Sequence, residues 1–220
     1  MINAKRSIEA CAAFYGDDSK DMKNYLLEGE KAALAMNNRG PISFDAQGNL
    51  AASIRNAYSE NGFYIFEGVL NKDELDDIKV DLDKMRSNFP IHPESSVDIN
   101  GEPALGVDSK ALTLVWSKPL GDPLGGTDLA NGRHQIKMFE PKAAEDSPVA
   151  SPFILLGSLQ FSEACLRTYA HPELLKVAES INGKDFAPFN EALFIKEPGI
   201  GAAVSWHQDG VTHWDSKNFD

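Results

Sequence analysis

The sequence predicts an α+β fold in which helices from the N-terminal half pack against a mainly β core. Two amphipathic patterns, at 45–61 and at 71–89, repeat apolar residues at helical spacing. Two segments, Gly62–Phe66 and Asn190–Lys196, are rich in aromatic residues or alternate between two faces, as strands do. A chain of 220 residues with these elements is most simply one domain with its own core.

Composition and charge argue against nucleic acids and membranes as binding partners. The chain has 21 basic and 33 acidic residues and a net charge of −12, which repels nucleic-acid phosphates and anionic membrane surfaces. No apolar run approaches the ~20 residues of a membrane span. Cys11 and Cys165 form no Cys-x-x-Cys motif. We therefore expect a cytoplasmic protein that binds neither nucleic acid nor membrane, and the sequence leaves its oligomeric state open.

The N-terminal 40 residues form a segment of their own. Lys20–Met36 has helix-forming composition, and Arg39-Gly40-Pro41 interrupts the chain. We interpret 1–40 as a peripheral helical extension and 41–220 as the main domain.

Local sequence patterns mark the ends and the apolar sides of the two predicted helices at 45–61 and 71–89. The first helix has Leu50, Ile54 and either Ala57 or Tyr58 on one side, and Asn61-Gly62 ends it. Asn71 and Glu74 form a capping box before the second helix. The apolar side of that helix is predicted to be Leu75, Ile78, Leu82, Met85 and Phe89, and it covers one face of a sheet.

The middle of the chain is rich in glycine and proline from Pro90 to Arg133, with a short apolar piece at Ala111–Trp116. We expect this region to shape a substrate entrance. A strand at Arg133–Phe139 and a helix at about Gly157–Tyr169 follow. A further helix starts at Pro172, and the core residues predicted for it are Leu174, Leu175, Ala178 and Ile181.

The pattern His207-Gln208-Asp209 carries the strongest chemical signal. If Ala203–Asp209 is extended, alternation places His207 and Asp209 on the same face. A histidine and a carboxylate are two of the three ligands in the facial triad that binds Fe(II). The sequence therefore predicts His207 and Asp209 as catalytic metal ligands.

The strand Asn190–Lys196 places one set of side chains on one face, namely Asn190, Ala192, Phe194 and Lys196. The other face carries Phe189, Glu191, Leu193 and Ile195. A lysine at the end of a strand, beside apolar residues, suits an anionic co-substrate next to an apolar cavity. The alternative is that Lys196 extends into solvent.

The segment from His171 to Trp214 contains a helix that begins with proline and ends at Gly183, a Lys-x-Pro-Gly turn, and Trp206-His-Gln-Asp. With the Gly62–Met85 segment, it resembles the phytanoyl-CoA dioxygenase-like family of Fe(II)/2-oxoglutarate-dependent oxygenases, which includes the ectoine hydroxylases. The resemblance implies a double-stranded β-helix, or jelly roll of the cupin type. It also implies hydroxylation of a small-molecule C–H bond with Fe(II), 2-oxoglutarate and O2.

The resemblance also implies roles for individual residues. Lys196 corresponds to a lysine that contacts 2-oxoglutarate, although the turn Lys196-Glu-Pro-Gly199 has one extra residue. Lys137 resembles a second lysine near the co-substrate. Asn190 shares the face of Lys196, and an aromatic residue shortly after His-x-Asp lines the substrate pocket, a role for His213 or Trp214. Asp209, rather than a small residue, points to hydroxylation instead of chlorination.

The family draws a second histidine ligand and a 2-oxoglutarate-binding arginine from strands well after His-x-Asp. Only 11 residues follow Asp209, so we expect a C-terminally incomplete jelly roll. Two alternatives stay open. One is a non-catalytic relative, and the other is a cupin-type metal enzyme that does not use 2-oxoglutarate.

Overall fold

The computed structural model describes residues 12, 16–121, 143–188, 191–202 and 204. Its α-helices are α1 (Ser19–Ala35), α2 (Ala52–Asn61), α3 (Lys72–Ser87), α4 (Glu163–Tyr169) and α5 (Pro172–Asn182). Its strands are β1 (Arg39–Gly40), β2 (Ile65–Phe66), β3 (Leu114–Ser117), β4 (Ser151–Leu156) and β5 (Ala192–Phe194). This mixture of helix and sheet agrees with the predicted α+β class. Within the described ranges, no helix is long and apolar enough to cross a membrane.

The chain divides into two compact units. The first contains Met1–Leu75 and Tyr169–Ala187, and the second contains Asp76–Thr168 and Pro188–Asp220. The prediction of an extension at 1–40 followed by a domain at 41–220 stays a prediction.

The core of the first unit lies between α2, α5 and the segment around a two-stranded parallel sheet. β1 pairs with β2 in the register Arg39↔Ile65 and Gly40↔Phe66. The buried residues of this core are Leu50, Ile54 and Val177, and packed against them are Ile42, Phe44, Ala51, Tyr64 and Phe66.

The observed α2 begins later than its predicted start at Asp45. One oxygen of the Asp45 carboxylate accepts the amides of Gln47 and Asn49 at 3.0 and 2.9 Å. This closed turn occupies 45–49, so the helix begins only after it. Its end agrees with the prediction, because Gly62 takes the left-handed conformation and donates its amide to the Tyr58 carbonyl at 2.8 Å.

The prediction of core residues on α5 is wrong for two of its four residues. Leu175 and Ile181 are exposed, whereas Val177 is buried. Val177 lies three residues after Leu174, so the two share a helix face from which Leu175 is rotated by about 100°. Ile181 lies in the last turn of the helix, where it remains exposed.

The second unit contains an antiparallel sheet in the order β3-β4-β5. Leu114 on β3 and Leu193 on β5 both pair with Leu155 of the central strand. Its core is built on Met85, Leu114 and Leu155, and packed around these are Leu82, Phe89, Leu105, Trp116, Phe161, Cys165, Leu193 and Ile195. The prediction is confirmed for Leu82 and Met85 of α3 and for Phe89 just after it, which pack on this core. It is wrong for Leu75, which lies in the first turn of the helix and is 43% exposed.

The capping box before α3 is also confirmed. The Asn71 side chain accepts the Glu74 amide at 3.0 Å, and the Glu74 carboxylate accepts the Asn71 amide at 2.8 Å. The helix predicted at 157–169 is instead a 3-10 turn, Ser158–Gln160, followed by α4. The break falls at Ser162, whose hydroxyl accepts the Cys165 amide at 2.9 Å and so starts a new helix.

Candidate functional site

Lys196 is the one predicted site residue that falls within the described ranges. Lys137, Asn190, His207, Asp209, His213 and Trp214 lie outside them, and so do the strands predicted at 133–139 and 203–209. The roles proposed for these residues therefore stay predictions. The described part of the site is the turn that leads from β5 toward His207.

This turn, from Lys196 to Ala202, is closed by hydrogen bonds within itself. The carbonyl oxygen of Glu197 accepts the amides of Ile200 at 3.2 Å and Gly201 at 2.7 Å. The Lys196 ammonium group donates to the carbonyl oxygen of Ala202, which is buried. The turn thus fixes the direction in which the chain leaves β5.

Gly201 is required at its position by steric contact. A Cβ atom built on Gly201 would lie 2.9 Å from both the nitrogen and the oxygen of the Glu197 backbone. Real Cβ atoms essentially never approach other atoms so closely, and backbone atoms cannot rotate away as a side chain can. The glycine-rich composition of this stretch therefore has a physical cause in the tight chain reversal.

Contacts with two other segments hold the turn in the second unit. The Arg86 guanidinium on α3 contacts both oxygens of the Glu197 carboxylate, at 2.5 and 2.6 Å. The Leu120 amide donates to the Ile200 carbonyl at 2.9 Å. Arg86 is 60% exposed, but the Glu197 side chain is only 16% exposed, so the carboxylate is largely enclosed. The turn is fixed to α3 and to the segment after β3.

The two faces of β5 differ as the sequence predicted. Leu193 and Ile195 pack in the core of the second unit. Phe194 and Lys196 are exposed on the alternate positions. The exposure of Lys196 is compatible with either predicted role, as a co-substrate contact or as a solvated residue.

A pocket of about 660 Å³ lies beside this turn in the second unit. Most of its wall is apolar, with Phe89, Pro90, Ile91, Ile99, Trp116, Pro148, Ala150, Pro152 and Ile200. Its polar lining residues are Asp83, Arg86, Ser87, Ser151 and Glu197. Sequence reasoning singled out none of these as site residues. The nearest signal was Glu197, the extra residue in the Lys-x-Pro-Gly turn.

No metal centre is visible in the part of the chain that the structure describes. Among those residues, no group of three or more His, Cys, Asp or Glu side chains could hold a metal ion. The predicted ligands His207 and Asp209 lie outside the described ranges.

Comparison with protein families finds a match. The family described as phytanoyl-CoA dioxygenase (PhyH) matches residues 58–217, a range that includes α3, the sheet of the second unit, the turn at Lys196–Ala202 and the His207-x-Asp209 pattern. Comparisons with curated proteins and with solved structures find no match. The family match covers well over half of the 220 residues. This chain therefore belongs to the phytanoyl-CoA dioxygenase family.

Proposed function

We propose that the protein is an Fe(II)- and 2-oxoglutarate-dependent oxygenase that hydroxylates a C–H bond of a small molecule. The observation that carries the proposal is the family match over 58–217, which includes a His-x-Asp pattern. Members of this family typically use Fe(II) and 2-oxoglutarate. The family also implies a cupin-like fold, and we propose that the sheet of the second unit is part of a jelly roll.

The donor set that the sequence offers suits ferrous iron. His207 would supply a neutral imidazole nitrogen and Asp209 a carboxylate oxygen, the two ligand types of the facial triad. When bound, iron and 2-oxoglutarate together supply the activation of O2 that inserts one oxygen atom into a C–H bond. Asp209 occupies the carboxylate position, which favours hydroxylation over halogenation.

The protein's own side chains would bind the co-substrate and the substrate. Lys196 would bind a carboxylate of 2-oxoglutarate through a charge-assisted hydrogen bond, with Lys137 as a second candidate. The Lys196 ammonium has three N–H donors, and the Ala202 carbonyl accepts from it, so further donors are available for a ligand. Asn190 and either His213 or Trp214 would contact the substrate and exclude water around it.

The test is turnover of 2-oxoglutarate with Fe(II), followed as succinate formation, in the full-length protein and in its Asp209→Ala variant. Removing a carboxylate ligand should abolish succinate formation and weaken binding of Fe(II). Asp215→Ala is the matched control, because it removes a nearby carboxylate outside the His-x-Asp pattern. Asp209→Ala with wild-type succinate formation would show that the metal site is elsewhere.

The same assay separates the two alternative functions. A wild-type protein that binds Fe(II) but forms no succinate would be the non-catalytic relative. Metal-dependent conversion of a substrate without succinate formation would indicate a cupin-type enzyme that does not use 2-oxoglutarate.

A further inference from the structure

The pocket of about 660 Å³ has the size of a small-molecule site. Its wall includes Trp116 from β3, Pro152 from β4 and Phe89 from the segment that follows α3. Trp116 and Phe89 are packed against the core of the second unit. The pocket is therefore formed by residues from several elements of that unit, and its apolar wall suits an apolar ligand.

One polar group at the pocket has no hydrogen-bond partner among the residues that the structure describes. Ser151 lines the pocket and is 2% exposed, and its hydroxyl oxygen is buried without such a partner. Ser117, which pairs with Ser151 across β3 and β4, is also buried, but its hydroxyl donates to the Lys118 carbonyl at 3.0 Å. A buried hydroxyl without a partner is unfavourable. Rotation about its Cα–Cβ bond gives the Ser151 hydroxyl alternative positions from which it can meet a ligand atom.

The charged groups at the pocket disfavour a charged ligand. Arg86, the basic lining residue, is bound through one nitrogen to both carboxylate oxygens of Glu197. Asp83 adds a further carboxylate to the lining. An anionic ligand would meet Asp83 and an arginine that is already paired with Glu197. A cationic ligand would lose its hydration at the apolar wall, and the exposed Asp83 carboxylate would compensate only weakly.

We propose that this pocket binds an uncharged, mainly apolar small molecule whose oxygen atom forms a hydrogen bond with Ser151. The apolar wall would bind the body of the molecule, and the Arg86–Glu197 pair would select against a carboxylate. The proposal does not rest on the oxygenase activity, since binding needs neither iron nor 2-oxoglutarate.

The test uses three probes of the same size and different charge: 3-phenylpropan-1-ol, 3-phenylpropanoate and 3-phenylpropylamine. Their binding to the full chain is measured by isothermal titration calorimetry without iron or 2-oxoglutarate. We expect the alcohol to bind most tightly. Ser151→Ala should lower the affinity for the alcohol about tenfold, because the variant loses one hydrogen bond to the ligand. Ser117→Ala is the matched control and should leave its affinity within about twofold, because that hydroxyl has its own partner.

A second variant tests the role of charge. Glu197→Gln frees the Arg86 guanidinium, so it should raise the affinity for 3-phenylpropanoate by about tenfold and change that for the alcohol little. If Ser151→Ala does not fold, Ser151→Cys keeps nearly the same volume and supplies only a weak donor. The proposal is overturned if none of the probes binds, if the wild type prefers the carboxylate or the amine, or if the serine variant that folds binds the alcohol as tightly as the wild type.

Discussion

At the scale of single residues, Asp81 joins α3 to the start of α4. Its carboxylate accepts hydrogen bonds from the Ser162 hydroxyl at 2.7 Å and from the Ala164 amide at 3.1 Å. These two donors, the Ser162 hydroxyl first, hold the pKa of Asp81 below its usual value. Ser162 is buried and caps α4, so the aspartate supports the cap from outside the helix.

The lowered pKa predicts how stability depends on pH. A carboxylate with a lower pKa in the folded state binds fewer protons there, so its stabilisation is present above about pH 4, the unfolded value. It is lost as the pH falls through the folded pKa. We expect Asp81→Asn to lower the free energy of unfolding by about 1–2 kcal/mol at pH 7 and by progressively less below about pH 4.

Urea unfolding of the wild type and of Asp81→Asn at pH 7, 5 and 3 measures this difference. Asp108→Asn is the control, because Asp108 is exposed. A difference between wild type and Asp81→Asn that stays the same at pH 7 and pH 3 would contradict the assigned role of the carboxylate.

A second prediction at the scale of single residues concerns Lys196 and rests on the proposed function. A charge-assisted bond to 2-oxoglutarate contributes on the order of 1.5–3 kcal/mol. Lys196→Ala should therefore raise the apparent KM for 2-oxoglutarate by roughly 10- to 150-fold. Lys196→Arg should recover only part of this loss, because a guanidinium is larger and planar. Succinate formation against 2-oxoglutarate concentration, at one salt concentration, is the measurement.

Lys184→Ala is the control for this series, since it removes an exposed lysine from the first unit. An unchanged KM in Lys196→Ala would support the alternative that Lys196 is only a solvated residue. The co-substrate would then be bound by Lys137 or by an arginine that this sequence does not locate.

Residue contacts could be predicted from the sequence where the partners are close along the chain. The Asn71–Glu74 capping box spans three residues and follows from local helix geometry. The Arg86–Glu197 pair spans 111 positions, and helical periodicity places Arg86 on a scaffold helix without indicating any partner. Contacts of this second kind depend on the packing of α3 against the sheet, which no local pattern contains.

At the scale of elements, the turn between β5 and the His-x-Asp stretch depends on Gly201. We expect Gly201→Ala to lower the free energy of unfolding by about 1–3 kcal/mol, because its Cβ would overlap the Glu197 backbone. Gly29→Ala is the matched control. Gly29 lies inside α1 with no atom within 4 Å of a built Cβ, so alanine there should stabilise the helix by about 0.5–1 kcal/mol. Thermal unfolding of both variants measures the two effects, and a neutral Gly201→Ala would show that the turn can relax.

Helices were predicted more accurately than strands. The ends of α2, α3 and α5 are marked by residues that act locally, such as Gly62 and Gly183. A strand ends where its partner ends. β2 has only two residues although five were predicted. In the parallel register Arg39↔Ile65, the missing residues 62–64 would pair with 36–38, where the chain has just left α1, and Gly62 still ends α2.

At the scale of the whole molecule, the class and the family could be predicted from the sequence, whereas the division into units could not. The first unit joins residues far apart in sequence, as in the hydrogen bond from the Leu50 amide to the Ser180 hydroxyl at 3.3 Å, across 130 positions. Composition and charge carry no information on such pairs. The site residues His207 and Asp209 were predicted from alternation and from the family resemblance, and they remain predictions.

The two separate cores give the last prediction, which concerns how stability is distributed over the chain. Ile54 is buried in the core of the first unit and Leu155 in that of the second. Truncation of either side chain to alanine should lower the free energy of unfolding by about 2–5 kcal/mol, because it removes apolar contacts and leaves a cavity.

Amide hydrogen exchange should locate each effect. Ile54→Ala should speed exchange first in α2 and α5, whose residues share its core, and Leu155→Ala should do so in β3, β4 and β5. Val149→Ala is the control, because that side chain is 95% exposed and its loss should change stability by less than about 0.5 kcal/mol. Faster exchange at the same amides in both core variants would mean that the cores do not stabilise their own units separately, and the division by contacts would then have no energetic counterpart.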